Sequence, residues 1–275
     1  LDRTLSDYRA DSELSRITRR AVRRAVPVSR DLFEVLRAGH ALASATGGAF
    51  DITAAPIIRL WREARRTGRL PARAALAEAA RRSGYRRLHL DPARRTVRFD
   101  RPGMSLDAGA LGKGYAASEA VAAIGRLGMR SALVAISGDL AFGAAPPGQR
   151  GWRVRVTRDD PPPPGVPAWL ELADAAVSTA GSSEQYVEIG GRRYSHIIDP
   201  STRAGLVEDI TVTVVAPHGL DADGLDTAAS LVGVARGLAL VESRPGAAAL
   251  IIRRAPGAGA EVHMSPRFRA LARQP

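Results

Sequence analysis

The segment 221–227 contains two carboxylates and a hydroxyl whose spacing matches one face of a helix. Asp223, Asp226 and Thr227 stand at positions i, i+3 and i+4, so a helix places them on one face. Oxygen ligands of this kind suit a hard cation such as Mg²⁺. The alternative is an acidic first turn that complements the helix dipole, which accounts for Asp221 and Asp223 better than for Asp226.

The single lysine of the chain, Lys113, lies among glycines in the stretch SLDAGALGKGYAASEAV, residues 105–121. Of the 40 basic residues, the other 39 are arginines. The pattern predicts a short strand over Met104–Asp107, a glycine turn and then a helix. Because glycine lets the backbone approach a ligand closely, the turn is a candidate anion site at a helix start. A solvated lysine is the alternative.

A histidine and two hydroxyls are the remaining polar candidates. His196 lies near the end of the predicted strand RRYSHII, a position that suits a general base, although a lone histidine is commonly structural. Ser178 and Thr179 lie in a segment that is predicted as a loop rich in hydroxyls and glycine. Such a loop either donates hydrogen bonds to a phosphate or simply connects two elements.

The predicted elements mix helices and strands without regular βαβ alternation, which favours an α+β fold. Helices are predicted over residues 11–26, 29–46, 71–83, 114–126, 222–231 and 234–243. Strands are predicted over residues 86–90, 96–100, 104–107, 131–136, 152–157, 168–173, 184–189, 192–198, 209–216 and 249–254. Ser29 is expected to cap the second helix, and Gly190-Gly191 to form a hairpin turn.

Composition and charge narrow the classes of function. The chain has no cysteine, which excludes disulfides and thiolate metal sites. Residues 1–100 carry 22 arginines against 11 acids, whereas residues 101–275 have a net charge of +1. This basic half is expected to attract an acidic partner or an anionic bilayer surface in a salt-sensitive manner. Aromatic content of 5% and the absence of a binding motif argue against nucleic acid.

Six segments, in order, resemble the ApbE family of FAD:protein FMN transferases: LSDYRADSELSRI, GGAFDITAAPIIRLW, SLDAGALGKGYAASEAV, ISGDLAFG, VSTAGSSEQYVEIGGRRYSHIIDP and VTVVAP with DADGLDTAASLVG. The match covers about residues 1–235. It implies an α+β fold related to the T-fold, with mixed sheets, packed helices and an FAD cleft between two lobes. It further implies one domain over residues 1–275, with lobes dividing near Pro161–Pro164 and an early strand missing ahead of Leu1.

The resemblance implies Mg²⁺-dependent transfer of FMN from FAD to a Thr or Ser hydroxyl of a target protein, with AMP leaving. Hydrolysis of FAD to FMN and AMP and non-catalytic flavin binding are the alternatives. Family members are commonly exported or membrane-anchored, and the first residues of this chain contain no signal segment, so membrane association is left open. Thr18, where the family often has Asn, leaves the balance between transfer and hydrolysis open.

By motif match, the resemblance also implies residue roles. Asp223, Asp226, Thr227 and the carbonyl of Ala110 match metal ligands. Asp223 and His196 match catalytic positions, with His196 as the base that accepts the proton of the incoming hydroxyl. The FAD contacts implied in the same way are Tyr8, Ala49, Phe50, Asp51, Asp107, Lys113, Ser178, Thr179, His196, Ile197 and Ile198.

Overall fold

The computed structural model describes residues 1–182, 185–255, 257 and 259–273. Ser183 and Glu184, which end the predicted hydroxyl-rich loop and begin the next predicted strand, lie outside these residues. The helices are α1 Asp2–Leu5, α2 Glu13–Arg20, α3 Arg30–Ala45, α4 Ala55–Thr67, α5 Arg73–Arg81, α6 Gly112–Arg126, α7 Gly219–Val232, α8 Val234–Glu242 and α9 Pro266–Ala272. A 3₁₀ turn spans Tyr85–Arg87.

The strands follow the same chain order. They are β1 Val26–Pro27, β2 Leu88–Asp91, β3 Thr96–Phe99, β4 Leu133–Ile136, β5 Asp139–Phe142, β6 Trp152–Arg155, β7 Trp169–Leu172, β8 Ala175–Gly181, β9 Tyr186–Ile189, β10 Arg192–Ser195, β11 Ile198–Asp199, β12 Ala204–Gly205, β13 Asp209–Ala216, β14 Ala248–Arg254 and β15 Ala260–Met264.

The chain divides into two compact units. Unit 1 comprises residues 1–112 and 182–207, and unit 2 comprises residues 113–181 and 208–275. The Pro161–Pro164 loop lies inside unit 2. Unit 1 holds 26 arginines and 15 acidic residues, so it carries +11 of the net charge of +12. The charge asymmetry of the sequence is therefore an asymmetry between units.

Unit 1 packs helices α1–α5 with small antiparallel sheets. Strands β1, β3 and β2 form a three-stranded sheet, and β9–β10 and β11–β12 are two hairpins. The indole of Trp61 in α4 lies 5.0 Å from the Tyr194 ring and donates a 2.7 Å hydrogen bond to the Arg203 carbonyl. The buried side chains around Trp61 are Ile57, Ala64, Ala79 and Ile198.

Unit 2 is built on a six-stranded antiparallel sheet in the order β15-β14-β13-β8-β5-β4. Side chains of successive strand residues point to opposite faces. Ser178 of β8 faces α7, where it meets Asp226. Val177 faces the other side, which is covered by the β6–β7 hairpin and by α9, through buried residues that include Val154, Leu170 and Phe268.

Local signals in the sequence located several elements correctly, and the α+β fold is confirmed. Ser29 caps α3 by accepting a 3.3 Å hydrogen bond from the Leu32 amide. Gly190 and Gly191 join β9 to β10 with φ of 59° and 71°, the left-handed conformation that a tight hairpin turn requires. Both signals act within a few residues.

Pairing with distant strands overrides local preference in two segments. Residues 177–181, predicted as a loop, belong to β8, because each of them pairs with a residue of β13 and Val177 also pairs with Leu140 of β5. The helix predicted over residues 11–26 ends at Arg20, since the Ala21 carbonyl accepts from Phe99 and the Arg23 amide donates to Phe99, both at 2.7 Å.

Five further segments illustrate where the structure differs from the sequence prediction. Residues 104–107 form a single bridge, Ala54 to Ser105, rather than a strand. Strand β4, whose apolar sequence is typical of a buried strand, lies at the edge of its sheet with Leu133 exposed. Helix α4 was not predicted, although Pro56 in its first turn and the left-handed Gly68 at its end are typical boundary signals. The elements β15 and α9 were also not predicted.

Helices α6 and α7 make their close approach at two glycines. A Cβ atom on Gly114 would collide with the Gly219 carbonyl oxygen and would lie 2.7 Å from the Asp223 Cβ. The Gly219 amide donates a 2.8 Å hydrogen bond to Ser118 Oγ in α6. The absence of side chains at this crossing lets the first turn of α6 reach the acidic residues of α7.

We predict that Gly114→Ala destabilises the protein by about 2–3 kcal/mol, because overpacking against backbone forces the helices apart. Gly125→Ala is the matched control, since Gly125 lies in the same helix with no atom within 4 Å of an added Cβ. The control should stabilise by up to about 1 kcal/mol through helix propensity. Denaturant unfolding measures both, and equal effects of the two substitutions would contradict the close approach.

Candidate functional site

Three buried carboxylates converge in unit 2. Asp139 opens β5 directly after a turn in which Ser137 has φ of 56°, and Asp223 and Asp226 project from α7. Each residue is at most 3% exposed. One oxygen from each carboxylate lies within 4.8 Å of the other two. The structure thus brings together two predicted ligands, Asp223 and Asp226, with one that the sequence analysis did not select.

Ser178 lies between two of these acids. Its hydroxyl is hydrogen-bonded to Asp139 and lies 2.5 Å from Asp226 Oδ2. A hydroxyl has one hydrogen to donate, so it cannot satisfy two ionised carboxylates at once. Either one of the acids carries a proton that it donates to Ser178, or a cation takes up the excess negative charge.

Lys113 supplies the positive charge nearest to the carboxylates. Its Nζ lies 2.7 Å from Asp139 Oδ2 and 3.4 Å from Asp223 Oδ1. Burial alone would lower the pKa of Lys113, but Asp223 and Asp139 outweigh burial and raise it above its ordinary value. With all groups ionised, three carboxylates and one ammonium leave a net charge of −2.

Burial also shifts the acids. It raises the pKa of Asp223 to about 6, with Asp139 acting in the same direction and Lys113 opposing both. Burial and the neighbouring charge of Asp223 raise the pKa of Asp226 well above its ordinary value. Clustered carboxylates in a low dielectric resist simultaneous ionisation. The charge of such a cluster can be neutralised by protons or by a cation.

The donor set fits Mg²⁺. It consists of carboxylate and hydroxyl oxygens, the ligands that hard cations take, and its net charge of −2 matches a divalent ion. Thr227 lies next to the set, because its hydroxyl donates to Asp226 Oδ1 at 3.1 Å. Ala110, the remaining predicted ligand, is half-buried in the turn before Lys113, within unit 1.

Thr179 does not join Ser178. Its hydroxyl lies 3.0 Å from that of Thr213, its ladder partner in β13, and its side chain is exposed. Adjacent residues of a strand point to opposite faces, so the two hydroxyls that were predicted to act in one loop are separated by the sheet. Only Ser178 contributes to the carboxylate cluster.

In unit 1, the side chains of Asp107 and Tyr8 both contact Arg62. The Asp107 carboxylate accepts from Arg62 Nη2 at 2.6 Å and from the Gly109 amide at 2.7 Å. Burial and the nearby charge of Asp7 raise the pKa of Asp107, whereas Arg62 opposes them. The Arg62 guanidinium lies 4.6 Å from the centroid of the Tyr8 ring, which is 79% exposed.

In the segment Ala49–Asp51, the Asp51 carboxylate accepts hydrogen bonds from two neighbouring turns. Asp51 Oδ1 accepts from the Thr53 amide and hydroxyl at 2.8 and 2.7 Å, and Oδ2 accepts from the Tyr85 amide at 2.9 Å. The Phe50 side chain is buried, as its local pattern suggested, and Ala49 is half-buried. In this structure the Asp51 carboxylate holds two turns together.

His196 has a defined tautomer. Its Nδ1 lies 3.1 Å from the Gln185 carbonyl, and its amide donates to the same oxygen at 2.8 Å. A carbonyl oxygen only accepts, so Nδ1 carries the proton and Nε2 is the basic nitrogen of the neutral ring. Ile197 and Ile198, the next predicted contacts, are buried.

Comparison with known proteins places this chain in a family. A model of the ApbE family matches residues 1–251. The chain belongs to the ApbE family. An FAD:protein FMN transferase of Klebsiella pneumoniae (strain 342) is 31% identical over 273 residues, covering 98% of this chain and 77% of that protein. The FAD:protein FMN transferase of Treponema pallidum (strain Nichols) is 34% identical over 263 residues, covering 90% and 72%.

Solved structures agree with the family. The flavin transferase ApbE from Vibrio cholerae superimposes with a TM-score of 0.87 at 27% identity, covering 98% of this chain and 86% of that one. The flavinyl transferase ApbE of Pseudomonas stutzeri, in its apo form, gives 0.84 at 31% identity, covering 98% and 84%. The ApbE assignment confirms the expected family and fold, and an enzyme of the transferase class.

Two groups of this ApbE-family chain escaped the sequence analysis. Asp139 follows Ser137-Gly138 at the start of a strand, and an acid at that position was the available signal. Arg62 carried no local signal, because its partners lie 55 and 45 residues away. Among the described residues, no helix is both long enough and apolar enough to cross a bilayer.

We predict that the metal-free protein loses stability as pH rises through about 6, because acids whose folded pKa is raised favour the folded state only while protonated. Asp226→Asn should therefore raise the stability at pH 7 by about 1 kcal/mol and flatten this pH dependence. Adding Mg²⁺ at pH 7 should raise the Tm of the wild type but not that of Asp226→Asn.

Asp221→Asn is the matched control for that experiment, since Asp221 is exposed on the same helix. It should keep the wild-type response to both pH and Mg²⁺. Thermal unfolding followed from pH 4 to pH 8, with and without Mg²⁺, measures each effect. A full Mg²⁺ response in Asp226→Asn would show that the cluster is not the metal site.

Proposed function

We propose that this ApbE-family enzyme transfers FMN from FAD to a Thr or Ser hydroxyl of a target protein, with Mg²⁺ at the carboxylate cluster. The observation that carries the proposal is the buried set of Asp139, Asp223 and Asp226, whose charge Lys113 only partly offsets. A site with a net charge of −2 is suited to a divalent cation and unsuited to a bare pyrophosphate. The relatives' names supply FAD as donor and protein as acceptor.

The reaction balances without a nucleophile from this chain. The acceptor hydroxyl oxygen bonds to the FMN phosphorus, the pyrophosphate P–O bond breaks, and AMP leaves with the electron pair. Mg²⁺, when bound, neutralises charge on the pyrophosphate, which is the main requirement of phosphoryl transfer. We assign the acceptor's proton to His196 Nε2, the basic nitrogen that its Nδ1 contact specifies.

The binding roles follow the motif match. Asp223, Asp226 and Thr227, with the Ala110 carbonyl, are proposed to hold Mg²⁺, and we add Asp139 from its position in the cluster. The FAD contacts are proposed to be Tyr8, Ala49, Phe50, Asp51, Asp107, Lys113, Ser178, Thr179, His196, Ile197 and Ile198. The proposal treats residues 1–275 as a single ApbE-like domain.

We expect wild-type protein incubated with FAD, Mg²⁺ and a flavin-accepting protein to add the mass of FMN to one Thr or Ser, with AMP released in equal amount. Asp223→Ala should lower the rate by at least about 10³-fold, because it removes a charge that places the cation. Intact-mass and peptide mass spectrometry measure the adduct, and Asp221→Ala should react normally.

Two other outcomes decide against transfer. Equal release of FMN and AMP with and without acceptor protein would make the enzyme an FAD pyrophosphatase. FAD that stays intact with Mg²⁺ and acceptor present would make it a flavin-binding protein. Replacing Thr18, whose hydroxyl donates to the Leu14 carbonyl of its own helix at 3.0 Å, with Asn tests whether that residue biases the balance.

We predict that Lys113→Met changes the affinities for Mg²⁺ and for FAD in opposite directions. Removing the ammonium leaves Asp139 and Asp223 without their counter-ion, so Mg²⁺ should bind about tenfold more tightly. FAD should bind more weakly, since a positive charge beside the phosphates is lost. Titrations of Mg²⁺ by calorimetry and of FAD by flavin fluorescence separate the two effects. Unchanged affinity for both would limit Lys113 to a structural ion pair with Asp139 and Asp223.

A further inference from the structure

Arg62 contacts three residues of unit 1 and has no role in the proposed function. Its guanidinium makes an ion pair with Asp7 through Nη1 and a second with Asp107 through Nη2, at 2.6 Å in the latter case. The same guanidinium lies over the Tyr8 ring. The side chain is only 25% exposed, so these contacts are partly shielded from water.

These contacts tie a short irregular segment to a turn that is distant in sequence. Residues 6–11 lie between α1 and α2 and belong to no strand. Asp107 precedes the glycine turn and is held to it by the Gly109 amide. Among the described residues, Arg62 is the side chain that both pairs with Asp7 and covers Tyr8. The position of Tyr8 therefore depends on a residue of α4.

The Tyr8 ring presents an exposed aromatic surface. A guanidinium fixes one face by a cation–π contact, and the ring as a whole remains 79% exposed. A large aromatic side chain that is so exposed, with a guanidinium against one face, suits stacking of a planar heterocycle on its other face. Fixing the ring before the ligand arrives removes an entropic cost of binding.

Local charge supports the same interpretation. Asp7 and Asp107 face Arg62 and Arg59, so the four groups balance. Arg59 is exposed on the same face of α4, three residues before Arg62, and contributes through the field rather than through a direct bond. Replacing Arg62 by an uncharged side chain would leave Asp107 buried without its main counter-ion.

We propose that Arg62 is a positioning residue for FAD: it locks Tyr8 and Asp107 in the arrangement that receives the planar ring system of the flavin. The inference rests on the proposed function, which takes Tyr8 and Asp107 as FAD contacts. Arg62 itself needs no contact with the ligand, and its effect is transmitted through these two residues.

The substitution Arg62→Met keeps the aliphatic part of the side chain and removes the guanidinium group. We expect it to raise the KM and Kd for FAD by about fivefold to tenfold and to leave kcat within about twofold, because binding is lost and the chemistry is not. The Kd of Arg62→Lys for FAD should lie between those of the wild type and Arg62→Met, since one ammonium cannot bridge both carboxylates. Arg66→Met is the matched control, as Arg66 lies in the same helix and pairs with exposed Glu63.

A double-substitution cycle separates positioning from general destabilisation. In a Tyr8→Ala background, Arg62→Met should weaken FAD binding much less than it does in the wild type, because its route of action is already partly removed. Quenching of flavin fluorescence by Tyr8 should likewise diminish in Arg62→Met at saturating FAD. Thermal unfolding confirms that each variant is folded at the assay temperature.

The outcomes distinguish the two hypotheses. If Arg62→Met binds FAD as Arg66→Met does, or if its effect simply adds to that of Tyr8→Ala, the positioning role is wrong while the transferase proposal stands. If the wild type binds FAD but transfers no FMN, the transferase proposal is wrong while the binding cycle still tests Arg62. A wild type that does not bind FAD would overturn both.

Discussion

The burial of three carboxylates beside one ammonium is the constraint on which unit 2 depends. Moving unpaired charges out of water costs several kcal/mol each, so Asp139, Asp223 and Asp226 require compensation. Lys113, the Gly114 amide and the Ser178 hydroxyl supply part of it. The remaining charge must be balanced by protons or, under the proposed function, by a divalent cation.

The surrounding fold meets this requirement with small residues. The sequence of α7, GLDADGLDTAASLV, places glycine, alanine and serine around its acids, so the helix can lie directly on β8 and β13. The Gly114–Gly219 crossing brings the amide of Gly114 within 3.0 Å of Asp223 Oδ2. Bulkier side chains at either place would separate the acids from the donors that stabilise them.

Patterns confined to a few residues were readable from the sequence, and contacts across the chain were not. The i, i+3, i+4 spacing placed Asp223, Asp226 and Thr227 together because helical geometry is local. Asp139 joins them only through the pairing of β5 with β8, and Ser178 faces them only because residues typical of turns were drawn into a central strand. Propensity describes a segment alone, whereas sheet pairing depends on segments that lie 30 or more residues away.

The structure also gives a reason for a lysine in a chain that otherwise uses arginine. The Lys113 ammonium lies between Asp139 and Asp223 as a compact charge on a flexible stem. A guanidinium is a planar fork with several donors, so it can bridge two carboxylates, as Arg62 does between Asp7 and Asp107. In the carboxylate cluster such a fork would occupy the oxygens that a cation needs. Under the proposed function, a single ammonium compensates the cluster without a cation and can leave those oxygens to one, whereas the two ion pairs of Arg62 hold Asp7 and Asp107 together.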